Sequence, residues 1–428
     1  MTQQRQSGNG VAIVMMIFLF AMISFVTNLA APMGVIVKVQ FLEGSPNANF
    51  LGMLGNFANF LAYLFMGIPA GLLLQKFGGK KTALAAIAVG FIGVGIQFFS
   101  GVAESFVIYL LGAFVCGFCV CMLNTVVNPM LNTLGGGGKK GGQLLQIGGT
   151  FNSLAGTLTP MLVGVLIGQV TRETGISDVN PLLFAAMGVF ALTFIVLSIV
   201  KIPELHKNTE EKTEKGKHSA WSFRHFVLGA IGIFIYVGVE VGIPATLFFF
   251  LASPKGAGVS AATAGFVAGT YWFLMLIGRF VGGAIGGKVS SKAMLTVASG
   301  AGVLLVLTAI FAPQNSFISM PVFTGSAFAS VQVPISALFL VLVGLCTSVM
   351  WGGIFNLAVE GLGKYTAAAS GIFMMMVVGG GVLPLVQNFI ADQASYMTSY
   401  WVPVVGLSYL FFYALVGSKN VNTDIDVK

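Results

Sequence analysis

Of the thirteen acidic residues in this 428-residue chain, Glu240 alone lies in the middle of a long apolar stretch. A carboxyl in hydrocarbon is costly to hold, so it points first to a ligand, ion or proton site and only second to packing. Its neighbourhood recurs 212 residues earlier. Tyr236-Val-Gly-Val-Glu240-Val-Gly-Ile-Pro244 aligns with Ser24-Phe-Val-Thr-Asn28-Leu-Ala-Ala-Pro32, placing Asn28 on Glu240 and Pro32 on Pro244. Each proline has no N–H to offer the carbonyl four residues before it. The carbonyls of Asn28 and Glu240 therefore lose their helical partners, as do those of Gly156 and Gly380 ahead of Pro160 and Pro384. Such carbonyls can take a hydroxyl or a cation, or simply let the helix bend, and bending is the expected role.

Further polar groups fall inside apolar runs: Asn56, Asn124, Asn128, Asn152 and Asn356, with Tyr63, Tyr236, Tyr271, Trp272 and Trp351 supplying aromatic faces. Amides both donate and accept, and an aromatic plane covers an apolar face. Together with Glu240 this set suits a small ligand carrying a ring of hydroxyls. Any one asparagine can instead make an interhelical hydrogen bond, typically worth about 0.6 to 2 kcal/mol. Arg279 lies nine residues before Lys288, toward the inner end of its run. It is expected to cap or gate the cytoplasmic side by pairing with carbonyls or an acid.

The elements that must position these residues are membrane helices. Hydrophobic residues make up 56% of the chain and charged residues 8%, with a mean hydropathy of +0.93. No soluble domain could cover its core with so little polar surface. Runs of about 20 apolar residues, each able to cross about 30 Å of hydrocarbon as a helix, occur twelve times. They cover 11–37, 49–74, 82–102, 105–132, 143–170, 181–202, 226–251, 260–287, 293–312, 335–358, 366–390 and 398–417. The first has no small-residue cleavage site after it and reads as a retained helix. The fold class is an all-α membrane protein.

Basic residues collect on one side: Arg5, Lys76, Lys80, Lys81, Lys139, Lys140, the cluster from Lys201 to Arg224, Lys288, Lys292, Lys364, Lys419 and Lys428. The other side holds Lys38, Arg172 and Lys255. Both termini are therefore expected in the cytoplasm. The net charge of +8 follows from this asymmetry and points to anionic membrane lipid, with no nucleic acid. Cys116, Cys119, Cys121 and Cys346 sit inside apolar runs and read as reduced packing residues. His206, His218 and His225 lie in or beside the central loop, away from any intramembrane relay. No cofactor is implied.

The charged segment 204–224 divides the runs six and six, giving an N-terminal bundle (1–203), a cytoplasmic linker (204–224) and a C-terminal bundle (225–428). Gly71 to Lys80 after the second run aligns with Gly283 to Lys292 after the eighth, again 212 residues on. Asn128 pairs with Asn356, and Gly156-x-x-x-Pro160 with Gly380-x-x-x-Pro384. A parallel duplication of this kind, with its site between the halves near the midplane, is a transporter architecture.

The Gly71 to Lys81 loop resembles the signature between helices 2 and 3 of the major facilitator superfamily. Leu123-Asn-Thr-Val-Val-Asn-Pro-Met130, Leu134-Gly135, Thr150-Phe-Asn-Ser153, Tyr236-Val-Gly238, Gly278-Arg-Phe280, Ile354-Phe355, Leu362-Gly363, Gly379-Gly-Gly381 and Pro384 resemble its fucose/galactose/glucose:proton symporter family. The resemblance implies twelve helices in two pseudo-symmetric six-helix bundles, a monomer in the inner membrane. It also implies import of a monosaccharide, a hexose such as glucose or galactose or a deoxyhexose, by alternating access coupled to H+ or Na+. Where proton-coupled fucose permeases of the family carry carboxylates in helices 1 and 4, this chain has Ala31 and Asn124. A family glutamine before Thr-Phe-Asn is Gly149 here. These departures bear against fucose specificity and the usual proton site, put glucose- or galactose-type relatives, some resembling sodium-coupled carriers, on at least an equal footing, and leave Glu240 as the acid available for sugar binding or coupling. Lys76 and Lys80 with Lys288 and Lys292 are then expected to steady the closed cytoplasmic face. An exporter of drugs or metabolites and an uncoupled sugar facilitator are the alternatives.

Overall fold

A computed structural model describes residues 2–427 apart from 136–137, 170, 201, 203–217, 286–287, 314–315, 325–326, 423 and 426. Most of the expected linker, including His206, lies outside the described residues.

Eleven described helices are long and apolar enough to cross a membrane, and one of them counts twice. Leu54–Val102 runs 49 residues, about 74 Å at the helical rise, more than twice a hydrocarbon core. At Gly78 the backbone leaves the helix with φ +83° and ψ 170°, a conformation that suits only glycine, and the chain turns back on itself. The helices are α1 (Gly10–Phe41), α2 and α3 (54–77 and 79–102), α4 (Phe106–Leu131), α5 (Ile147–Ile167) and α6 (Ile176–Ile199) in the first half of the chain. In the second half they are α7 (Arg224–Ala252), α8 (Ala261–Ile285), α9 (Ser291–Phe311), α10 (Ile335–Val359), α11 (Ala369–Gln393) and α12 (Tyr396–Gly417). An even number of crossings puts both chain ends on one face, here called the terminal face; the opposite one is the distal face.

Within the first half α1 packs on α4 and α5, and α2–α3 on α4 and α6; within the second, α7 packs on α11 and α12, and α10 on α8 and α9. The halves meet along α5 with α8, α2 with α11 and α1 with α7. Glycine makes the α5–α8 crossing close: a side chain on Gly164 would meet the Ala261 carbonyl, and one on Gly265 the Pro160 carbonyl. Two helices break partway: α10 at Ser348–Val349 and α11 at Val377–Val378, just ahead of Gly379-Gly-Gly381.

Between α9 and α10, expected to be loop, lies an antiparallel hairpin of β1 (Phe317–Phe323) and β2 (Phe328–Pro334). Every described membrane span is helical, as the all-α class requires, and the hairpin is an addition between two spans. Alternation explains it: Met320, Val322 and Val333 are buried while Phe317, Ser319 and Ser330 are exposed. The hairpin is pinned to α8, where Phe323 N–H donates to Thr270 Oγ1 (2.9 Å) and the Phe323 and Phe273 rings stack at 4.4 Å.

Candidate functional site

The repeat-related helices α1 and α7 face one another across a cavity of about 20 Å³, lined by Asn28, Pro32, Asn56, Pro244, Phe248 and Trp272 among others. That holds about one water, far less than a hexose. Of the residues that the sequence pairs by repeat, Asn28, Pro32 and Pro244 line this cavity, and Glu240 lies outside its lining, one turn before Pro244 on α7. Asn28 turns its amide inward along its own helix, donating to Ser24 O (2.9 Å) and Ser24 Oγ (3.1 Å).

Glu240 is buried in the middle of α7. Its Oε1 lies 3.5 Å from Arg279 Nη2, with the two side chains 12% and 16% exposed respectively. Arg279 projects from α8 and uses Nη1 on the other half of the chain, donating to Gly149 O (2.9 Å) and Ser153 Oγ (2.8 Å) on α5. One guanidinium therefore holds an acid of the second half and a helix of the first. Its fixed fork of donors suits such a bridge better than an ammonium would. Tyr236, one turn before Glu240, sets its buried hydroxyl beside the Glu240 carboxyl, and its ring lies 6.2 Å from that of Trp351. Tyr271 shares a hydrogen bond with Thr347 (3.0 Å) and sets its ring edge-on to Trp272.

Asn56 is 1% exposed and donates to Gly380 O (2.8 Å) across the halves. This is one of the carbonyls freed by proline, so here the missing helical bond is replaced by a side chain, where bending alone was expected. Its Oδ1 has no partner. Asn152 donates to Phe20 O (2.8 Å), tying α5 to α1. Tyr63, Asn124 and Asn128 form a separate chain on α2 and α4: Asn124 donates to Tyr63 Oη (2.7 Å) and Asn128 to Asn124 O (2.9 Å).

One expectation needs correction. Asn356 does not join the cavity: it is exposed in the last turn of α10 and donates to Ser291 Oγ (3.4 Å) at the start of α9, level with the terminal face. Lys80, one of the four lysines expected to steady the closed cytoplasmic face, is held here by its own half. Its ammonium donates to Ser198 O and Val200 O (both 2.7 Å), capping the end of α6 within the first half. Lys76, Lys288 and Lys292 are exposed on the same face.

Sequence reasoning missed Gln387 and Asn388 on α11. Asn388 donates to Thr246 Oγ1 (3.0 Å) and Pro384 O (2.9 Å), and Gln387 Nε2 is buried without a partner. The available signal was their place one turn after the Gly380-x-x-x-Pro384 element. They fall near the end of an apolar run, where hydropathy does not separate a buried polar group from one that meets water.

The sequence profile of the Major Facilitator Superfamily matches residues 12–384. A glucose/galactose transporter of Brucella abortus is 31% identical, covering 97% of this chain and 96% of that protein. The L-fucose-proton symporter of Escherichia coli is 22% identical at 97% and 96% coverage. Among solved structures, that of a D-xylose-proton symporter superposes with a TM-score of 0.74 at 13% identity, over 96% of this chain and 100% of that one. Twelve helices in two six-helix groups, a profile match over most of the length and a relative alike from end to end place this chain in the Major Facilitator Superfamily, in the family that holds the glucose/galactose transporters.

Proposed function

We propose that this protein is a secondary active carrier that imports a monosaccharide, a hexose of the glucose or galactose type, by alternating access. The names of its relatives support the sugar. The observation that carries the mechanism is the buried Glu240–Arg279 pair, joined to α5 at the junction of the two halves. Buried charges are retained in membranes where they do work, and broken helices at mid-depth are where carriers expose backbone to substrate.

In this reading residues 1–203 and 225–428 rock as two bundles joined by the linker, with the terminal face in the cytoplasm as the basic residues dictate. Asn28, Asn56, Asn152, Tyr236 and Trp272 present amides, a phenol hydroxyl and an aromatic plane to the sugar. The 20 Å³ cavity is the contracted state of that site, and a sugar enlarges it by replacing hydrogen bonds that Arg279 now makes to α5. Glu240 takes the coupling ion, H+ or Na+, whose arrival loosens its hold on Arg279. The carrier works as a monomer in the lipid of the cell membrane.

Uptake of labelled glucose, galactose and fucose into proteoliposomes, with and without sodium and a pH gradient, tests this. Concentrative uptake of one hexose driven by one of the two gradients is expected. Binding of large apolar cations without any hexose uptake would replace the reading with that of an exporter. Wild-type coupling in Glu240→Gln under every gradient would remove Glu240 from the ion's path.

A further inference from the structure

A second set of polar contacts between the two halves lies at the distal face, beyond the cavity. Asp392, near the end of α11, accepts from the backbone N–H groups of Asn49 (3.1 Å) and Phe50 (2.7 Å), which precede α2. Asn49, 9% exposed, is held from both halves at once: its Oδ1 accepts from Lys38 Nζ on α1 and from Tyr396 Oη (2.9 Å) on α12. The Lys38 ammonium also lies 4.5 Å from the centre of the Phe249 ring on α7.

We propose that Asp392 and Lys38 form the distal gate of the carrier, a latch whose opening admits solute to the cavity from that side. Asn47, which precedes the Ala48–Gly52 turn, does not cap it with its own side chain. The amides that a helix start leaves unpaired are satisfied instead by a carboxylate from the opposite half. Bonds to a charged acceptor are the stronger kind. They are made only while the halves touch, so they weight the equilibrium toward the closed face without rigidifying either half. Separating the halves breaks the Asp392 and Tyr396 bonds to Asn49 and Phe50 and lifts the Lys38 ammonium off Phe249, while the bond from Lys38 to Asn49, within the first half, is kept. The cavity residues Pro244 and Phe248 lie directly beneath, on the helix whose Phe249 Lys38 covers. The inference rests on alternating access but on no sugar.

The test is cysteine accessibility in intact cells. Ala245→Cys replaces a small cavity residue that is 3% exposed. It is to be labelled with a membrane-impermeant maleimide applied outside, without sugar. With Asp392 intact, slow labelling is expected. Asp392→Ala and Asp392→Asn should speed it by about tenfold or more, the shift that losing one charge-assisted bond gives, and Lys38→Gln should act in the same direction. Unchanged rates in all three would overturn the gate. So would labelling of the four native buried cysteines in the same variants without Ala245→Cys, which would show Asp392 to be structural. Because the readout needs no transport, a wrong sugar assignment leaves it intact.

Discussion

Replacing Arg279 tests how the buried pair is coupled. The guanidinium makes three contacts, two short ones to Gly149 O and Ser153 Oγ on α5 and a longer one of 3.5 Å to Glu240. At 3.5 Å and an effective dielectric of about 20, the charge attraction is about 5 kcal/mol. Desolvation of two side chains 12% and 16% exposed cancels most of it, leaving a coupling of about 1 to 3 kcal/mol. Arg279→Gln strands the carboxylate and loses the bridge to α5, and should destabilise the protein by about 3 to 5 kcal/mol. Glu240→Gln leaves Arg279 its two neutral acceptors and should cost about 1 to 2 kcal/mol. The double variant should be no worse than Arg279→Gln alone, because the stranded charge is gone. Denaturant unfolding in mixed micelles, followed by tryptophan fluorescence, gives all four corners of the cycle. Strict additivity would refute the coupling, and with it the idea that Glu240 governs the bridge to α5.

Asn56→Ala, which leaves the Gly380 carbonyl buried without a donor, should cost about 1 to 3 kcal/mol and weaken sugar binding; isothermal binding in detergent reads the affinity. Asn356→Ala should bind sugar as the parent does, since its side chain sits at the terminal face. Lys80→Ala uncaps α6 and should lower stability by about 0.5 to 2 kcal/mol with no change in sugar affinity, so an altered Kd would restore Lys80 to the transport machinery. Gly265→Leu would force α8 away from the Pro160 carbonyl and should abolish counterflow while leaving membrane insertion intact.

The spans were legible because a residue's hydropathy reports its solvent directly, and so was a turn between the second and third spans, though not that Gly78 makes it. The repeat that pairs Pro32 with Pro244 picked out two residues that line one cavity, whereas Asn28 lines it and its counterpart Glu240 does not. What periodicity could not give was the hairpin at Phe317–Pro334, where short alternation resembles loop until a neighbour such as Phe273 covers one face. Depth at helix ends was also hidden. Asn356 and Asp392 both lie within a turn or two of a boundary, where hydropathy cannot say whether a polar group meets water, a sugar or the opposite half. Arg279 was legible as a residue seeking carbonyls or an acid; that it would find both, on different halves, needed three dimensions.

The glycine-faced crossing of α5 and α8 has a kinetic meaning. Surfaces without side chains can slide past one another without exchanging rotamers, so the crossing itself should add little friction to the rocking of the halves. The slow events then lie at its two margins, where Arg279 grips α5 and where Asp392 holds the start of α2. A turnover rate that responds to substitutions at those margins more than to viscosity or lipid would be the signature of such a bearing.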